Sequence, residues 1–461
     1  MKIWPFAGAI IVMGCSGTGI ADQQGSNSSD VAQLKTAERI PEMMEAFGVT
    51  GLAVSAVSGD RTVLAQGFGE SLGGQPFTAT TRCGLFSATK VLASLTYASL
   101  DAKGTLRLDA PIGSYIAAAP ADWRDIPFYR LLNHSSGITM IVNKDEFADL
   151  ASDAKSTNAA IYKVLRDEPL DYQPGEYSRY RQSGYAVGEM VLQDRLGKDF
   201  ATLVRETITQ PAGMVSTAHP ATLDETQPAL IQSAGGYETT AADMAAFFKA
   251  VNAGTVISAD VWKDTLLKDA HLFRDYSLGS VIEYNDDVLS FGHSGGGARA
   301  NVRYAPDHGV GAMVCTDDQT NQGLAMPLAR MLIQEIVSGT APPLPMLVAA
   351  PGYADMTAAE VIAAVEEAEE AGDRFDLAGI EGFMNEVGYT FLAQERGAEA
   401  IEALAFNVAR FPSSPNAHDS LGEALFEAGK LAEAREQYAK VLELDPGNDN
   451  AARMLSRIDQ S

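Results

Sequence analysis

Apolar and polar positions alternate in Leu52-Ala53-Val54-Ser55-Ala56-Val57 and again in Thr62-Val63-Leu64-Ala65, with Gly59-Asp60 between them. A period of two on either side of a turn signal predicts a β-hairpin. Val302-Arg303-Tyr304 and the run from Gly309 to Cys315 predict a second strand pair near residue 310. The stretches between them carry helical spacing, as in Val91-Leu92-Ala93-Ser94-Leu95 and the run Ala186 to Leu192. Strands gathered at both ends of a body with helices between them predict an antiparallel sheet with segregated helices. That is an α+β architecture, not a regular βαβ alternation. The body spans about residues 35–340.

A Pro/Gly-rich stretch, residues 339–345, reads as a semi-rigid linker. Beyond it Thr357 and Glu360 form a capping-box pattern at the head of an acidic helix that stops near Gly372, so residues 341–378 are read as linker plus helix. The remainder, 379–461, repeats: Gly388, Ala400 and Pro412 recur as Gly422, Ala434 and Pro446, each 34 positions on. This period, with small residues where helices cross and a proline at a helix end, resembles the tetratricopeptide repeat and implies a small all-α domain. Two repeats leave an apolar face to be covered. The tail is therefore expected to pack on the body, on a second copy of the chain or on a protein partner.

The 461 residues carry 60 acidic against 34 basic side chains, a formal net charge of −26. Nucleic acid and anionic lipid are excluded as expected partners, because phosphate is repelled over most of such a surface. Lys2 followed by the apolar run through Ile10-Ile11-Val12 reads as an export signal within residues 1–21, too short for a stable membrane span. Two cuts fit: before Cys15, with lipidation of that cysteine, or after Ala21. Residues 22–34 are Gln/Ser/Asn/Asp-rich and read as a disordered tether to a protein of the periplasm or cell envelope. With Cys15 processed, Cys83 and Cys315 remain. They are read as buried thiols, without a disulfide framework. The six histidines (134, 219, 271, 293, 308 and 418) show no metal-ligand spacing, so neither metal nor cofactor is expected.

Ser87 and Lys90 stand three residues apart at the start of an apolar-periodic helix, which puts hydroxyl and amine on one face, one turn apart. Lysine accepts a proton only when uncharged, which requires burial or a neighbouring cation. Alone this spacing is weak evidence, but further elements follow in order. They are Leu131-Leu132-Asn133-His134-Ser135-Ser136-Gly137, then Pro174-Gly175 ahead of Tyr180-Arg181-Gln182, then Gln210-Pro211-Ala212-Gly213-Met214, Gly235-Gly236-Tyr237 and Gly292-His293-Ser294-Gly295-Gly296. With these residues the chain resembles the serine β-lactamase and penicillin-binding-protein superfamily, in the branch of class C β-lactamases, D,D-peptidases, D-aminopeptidases and esterases. The resemblance implies an antiparallel sheet flanked by helices with an all-helical subregion. It also implies Ser87 as nucleophile, Lys90 as its proton acceptor, Tyr180 as proton relay, and His293 beside them. The backbone N–H groups of Ser87 and Gly296 become the oxyanion hole, with Gln182, Ser294 and Gly295 on the substrate side. A phenol near its usual ~10 is a useful base only if its phenolate is stabilised, and Lys90 is the expected source.

Two positions depart from the superfamily's usual pattern: Gln182 replaces Asn, and His293 replaces Lys. An imidazole is mostly neutral at pH 7, so the charge for a substrate carboxylate is sought instead at Arg299. Tyr177 and Arg181 are read as further exposed candidates for substrate contact. The expected function is a cofactor-free serine hydrolase that acts through an acyl-enzyme on small esters or D-amino-acid amides and peptides. A β-lactamase or D,D-carboxypeptidase, and a non-catalytic scaffold with a recruiting tail, are the alternatives. Gly292–Gly296 also fits the G-x-S-x-G elbow of an α/β-hydrolase with Ser294 as nucleophile, a reading that requires a helix after it.

Overall fold

The computed structural model describes residues 34–222, 229–285, 287–318 and 323–460. The expected export signal, Cys15 and the tether as far as residue 33 lie outside the described residues. Nine strands are present among them: β1 (Gly51–Ser58), β2 (Arg61–Gly69), β3 (Cys83–Gly84), β4 (Glu238–Thr239), β5 (Tyr276–Ser277), β6 (Ser280–Asn285), β7 (Val288–Gly295), β8 (Ala300–Ala305) and β9 (Val310–Cys315). Seven form one antiparallel sheet in the order β2-β1-β9-β8-β7-β6-β5, and β3 pairs with β4 alone. The first hairpin thus joins the last strand, which closes the body into one sheet from both chain ends.

The sheet is covered on both faces, which explains why β9 is buried at every position. Alternate residues serve opposite cores. Ala53, Val57, Phe291, Val302, Tyr304 and Met313 face an inner core. That core is completed by α1 (Lys90–Ala102), α2 (Asn158–Leu165), α3 (Ser183–Leu196) and α4 (Ala241–Asn252). The first of these is buried from Lys90 to Leu100, as expected for a helix that is apolar all round.

Leu52, Val54, Ala312 and Val314 face the other way, onto α5 (Ala325–Ser338). The same outer core continues into α6 (Ala358–Glu370), α7 (Ile380–Ala393) and α8 (Gly397–Arg410) through Val361, Val365, Phe383, Met384, Ala400 and Ala403. The capping box at Thr357 and Glu360 is formed. Residues 339–345, read as a spacer, are packed instead: Leu344 is fully buried and Pro342 O accepts from Arg39 Nη1 at 2.8 Å. Composition suggested a linker, but Leu344 and Met346 supply apolar surface that the outer face of the sheet needs. The last helices, α9 (Pro415–Glu427), α10 (Leu431–Leu444) and α11 (Asp449–Ile458), share a smaller core with Leu404 of α8.

Cys83 and Cys315 are joined as a disulfide with Cα atoms 6.1 Å apart, inside the usual span. This corrects their reading as free thiols. Partners 232 residues apart in sequence become neighbours only once β3 is laid against β9.

Candidate active site

Ser87 lies in a 3₁₀ turn, Phe86–Thr89, that runs directly into α1. The residue before it, Phe86, has φ +47°, a left-handed conformation that costs a non-glycine residue ~1–2 kcal/mol. Several contacts hold it there. The guanidinium of Arg299 lies 4.0 Å from the Phe86 ring centre, and its Nε donates to Gly296 O at 2.7 Å. A Cβ on Gly295 would overlap Leu85 O, and one on Gly296 would meet the Phe86 ring at 2.5 Å. Glycine at 295 is what lets the end of β7 lie flat against the turn that carries Ser87.

Lys90 is fully buried. Its Nζ donates to Ala234 O at 2.6 Å and lies 4.7 Å from the Tyr180 ring centre and 5.1 Å from that of Tyr185. Burial pushes the amine well below its ordinary range, the direction a proton acceptor for Ser87 requires. The side chains of Ser87 and Gln182 favour the phenolate of Tyr180, yet desolvation outweighs both and raises the phenol. The expectation of a phenolate held by Lys90 is therefore corrected: the phenol is raised and stays protonated, and burial shifts the amine beside it toward its uncharged form.

His293 projects from β7 on the same side of the sheet as Phe291, toward α1. Its Nδ1–H donates to Ser294 O at 2.5 Å, which leaves Nε2 as an acceptor. Burial first, and Lys90 second, depress the imidazole to about 3, so it carries no charge at neutral pH. Its ring centre is 5.7 Å from that of Tyr180. The Ser294 hydroxyl accepts from Asn301 Nδ2 at 2.8 Å. Behind Tyr180, His134 is buried, accepts from Arg181 N at Nδ1 (3.2 Å) and meets Tyr276 Oη at 3.1 Å.

The fold thus gathers Ser87, Lys90, Tyr180, Gln182, His293, Ser294, Gly295, Gly296 and Arg299 around one turn. Arg181 does not join them. It is buried, ion-paired with Asp171 and donates to Ile138 O at 3.0 Å, which corrects its reading as exposed. Tyr177 is exposed and lines a cavity of about 390 Å³ with Arg179, Tyr180, Arg274 and Tyr276. The elbow reading of Ser294 fails, because the residue sits within β7 and a strand follows it, not a helix. Sequence reasoning had not singled out Tyr185, Tyr276 or the Ala234 carbonyl. The one trace of the last was its place just before Gly235-Gly236.

The match of residues 36–334 to the beta-lactamase family model decides the affiliation. The chain belongs to the beta-lactamase family. Residues 388–449 match the tetratricopeptide repeat. Penicillin-binding protein 4* of Bacillus subtilis is 26% identical over 153 residues, a stretch that spans a third of each chain. Among solved structures, the octameric penicillin-binding protein homologue from Pyrococcus abyssi superposes with TM-score 0.55 at 21% identity, covering 66% of this chain and 77% of that one. The D-stereospecific amidohydrolase from a Streptomyces species gives 0.53 at 20% identity over 67% and 100%. The D-amino acid amidase from Ochrobactrum anthropi SV3 complexed with D-phenylalanine gives 0.55 at 17% over 66% and 99%. At these identities the structural likenesses speak for the shared fold.

Proposed function

We propose that this beta-lactamase family member is a serine hydrolase that works through an acyl-enzyme on small esters or D-amino-acid amides and peptides. The observation that carries the reading is the fully buried Lys90, its amine shifted toward the uncharged form by burial and set 4.7 Å from the ring of Tyr180, whose phenol is influenced by the Ser87 hydroxyl. In the first step the Ser87 oxygen attacks the substrate carbonyl while its proton moves through Tyr180 to Lys90. The tetrahedral oxyanion is held by the Ser87 and Gly296 N–H groups, donors worth ~3–4 kcal/mol each. The C–O or C–N bond then breaks, and the leaving alcohol or amine takes the proton back from the amine through Tyr180. In the second step water gives its proton to the same relay and attacks the Ser87 ester; the acyl C–O bond to Ser87 breaks, the relay returns the proton to the Ser87 oxygen, and the acid leaves.

The substrate class is inferred from charge. A neutral His293 cannot hold a carboxylate as an ammonium would, which argues against efficient turnover of β-lactams. Arg299, beside the Gly296 carbonyl, is the cation proposed to hold a substrate carboxylate when there is one. The cavity next to Tyr180 offers room for an acyl or leaving-group side chain. The names of the Streptomyces and Ochrobactrum proteins favour the amide arm of the proposal. Export to the periplasm or cell envelope, with a cut either before Cys15 and lipidation there or after Ala21, is proposed on residues 1–21 alone.

The test is a hydrolysis screen over p-nitrophenyl esters, D-alanyl amides and a chromogenic cephalosporin, run on the intact protein and on Ser87→Ala. Turnover of an ester or D-amide that vanishes in the variant is the expected result. Turnover that survives Ser87→Ala, or activity confined to the cephalosporin, contradicts it. Complete inactivity would favour a scaffold that recruits a partner through residues 379–461.

A further inference from the structure

The acceptor that fixes Lys90 Nζ, Ala234 O, belongs to residues 231–237, which form no helix and no strand before Glu238. What holds this loop is a side chain that none of the expected chemistry uses. Glu189 lies in the middle of α3 and is only 4% exposed. Its Oε1 accepts from the backbone N–H of Ser233 at 2.5 Å and from the Ser233 hydroxyl. Its Oε2 accepts from Asn158 Nδ2 at 2.7 Å, and Asn158 Oδ1 in turn accepts from Ile231 N at 3.0 Å. One carboxyl thus binds the loop directly and, through Asn158, at its start.

Every one of these partners donates to Glu189, and only a carboxylate, which accepts at both oxygens, satisfies them all. The groups that face it are Tyr97 of α1, Tyr237, Asn158 of α2 and the Ser233 and Gln232 segment of the loop, none of which carries positive charge. Burial accordingly raises the carboxyl to about 7. A buried acid with no cation beside it is costly to hold in an apolar helix, and the hydrogen bonds from Ser233 and Asn158 are what offset that cost.

We propose that Glu189 is a positioning residue for Lys90: through Ser233 it aims the Ala234 carbonyl at Nζ. A neutral amine that gives one hydrogen to Ala234 O has its lone pair turned away from that carbonyl, free for the Tyr180 and Ser87 side. This role rests on the acyl-transfer function proposed above. Without the clamp the carbonyl shifts, and the lone pair loses its direction.

The test compares Glu189→Gln, Asn158→Ala and the double variant Glu189→Gln/Asn158→Asp, with kcat and KM for an activated ester and the rate of fluorophosphonate labelling as readouts. In Glu189→Gln the new amide sets donor against the Asn158 donor. We expect kcat and labelling to fall by up to ~100-fold, the cost of misplacing a catalytic group by about 1 Å, with KM nearly unchanged. The double variant reverses the polarity of the pair: the new carboxylate at 158 accepts both from the amide at 189 and from Ile231 N–H, so kcat should recover. If Glu189→Gln does not fold, Asn158→Ala, which removes one donor and the tie to Ile231, should still lower kcat at constant KM. Wild-type kcat in the folded variants, or no recovery in a folded double variant, overturns the positioning role. An unlabelled, inactive wild type instead removes the underlying reaction, and the role with it.

Discussion

Burial acts on Lys90 and His293 in the same direction, since it disfavours the cation of each, and the result is a cleft with a neutral imidazole, an amine pushed toward its uncharged form and a protonated phenol. If Lys90 takes the proton and Tyr180 relays it, Lys90→Ala and Tyr180→Phe should each cut kcat for an activated ester by ~10²–10⁴-fold while far-UV circular dichroism stays unchanged. Near-normal rates in either variant would remove that residue from the mechanism. His293 makes a separate prediction about stability. Its folded value of about 3 lies below the unfolded ~6.5, so the folded state binds fewer protons between those values. The contribution is complete above pH 6.5 and is lost as pH falls, by roughly 2 kcal/mol at pH 5. Glu189, raised from 4.5 to about 7, works in the opposite sense: its contribution is present below 4.5 and is lost as pH rises through 7. Denaturant melts of wild type and His293→Asn at pH 8 and pH 5 isolate the histidine, and a stability difference independent of pH would refute its neutral burial.

At the scale of elements, the disulfide ties β3, four residues before Ser87, to β9 in the middle of the main sheet. Closing so long a loop stabilises by the order of ~5 kcal/mol in the chain-entropy picture, with ~2–4 typical of measured cases. Reduction by dithiothreitol, or Cys83→Ser with Cys315→Ser, should lower the melting temperature by several degrees. An unchanged melting temperature would show that the link contributes little. Strand periodicity located both hairpins because their turns, at Gly59-Asp60 and at Pro306–His308, are short and local. The disulfide was not legible, since neither cysteine has a neighbour in sequence that signals the other. Glu189 was hidden for a related reason: a single acid in a helical run looks like a solvent-facing position until the helix is seen buried on every side. Ser87, Lys90, Tyr180 and His293 were legible through their motifs, but the left-handed Phe86 and the Ala234 carbonyl belong to backbone geometry that residue identity does not encode.

For the whole molecule, the tail divides differently from its sequence. Leu344, Met346, Val361, Val365, Phe383 and Met384 complete the outer core of the sheet, whereas α9 to α11 have their own smaller core. Each such side chain is worth ~1.5–3 kcal/mol when buried, so together they rival the ~5–15 kcal/mol that holds a typical domain folded. Deleting residues 346–461 should therefore give an insoluble or unfolded product, while deleting 412–461 should leave a folded hydrolase body. A soluble, active body after the larger deletion would contradict the shared core.

Where a covalent probe lands tests Ser87 as the nucleophile most directly. Full-length protein treated with a fluorophosphonate, digested and mapped by mass spectrometry, should carry one phosphonyl group on the peptide containing Ser87, formed far more slowly in Lys90→Ala. A group on the peptide containing Ser294, or none on any serine, would contradict it.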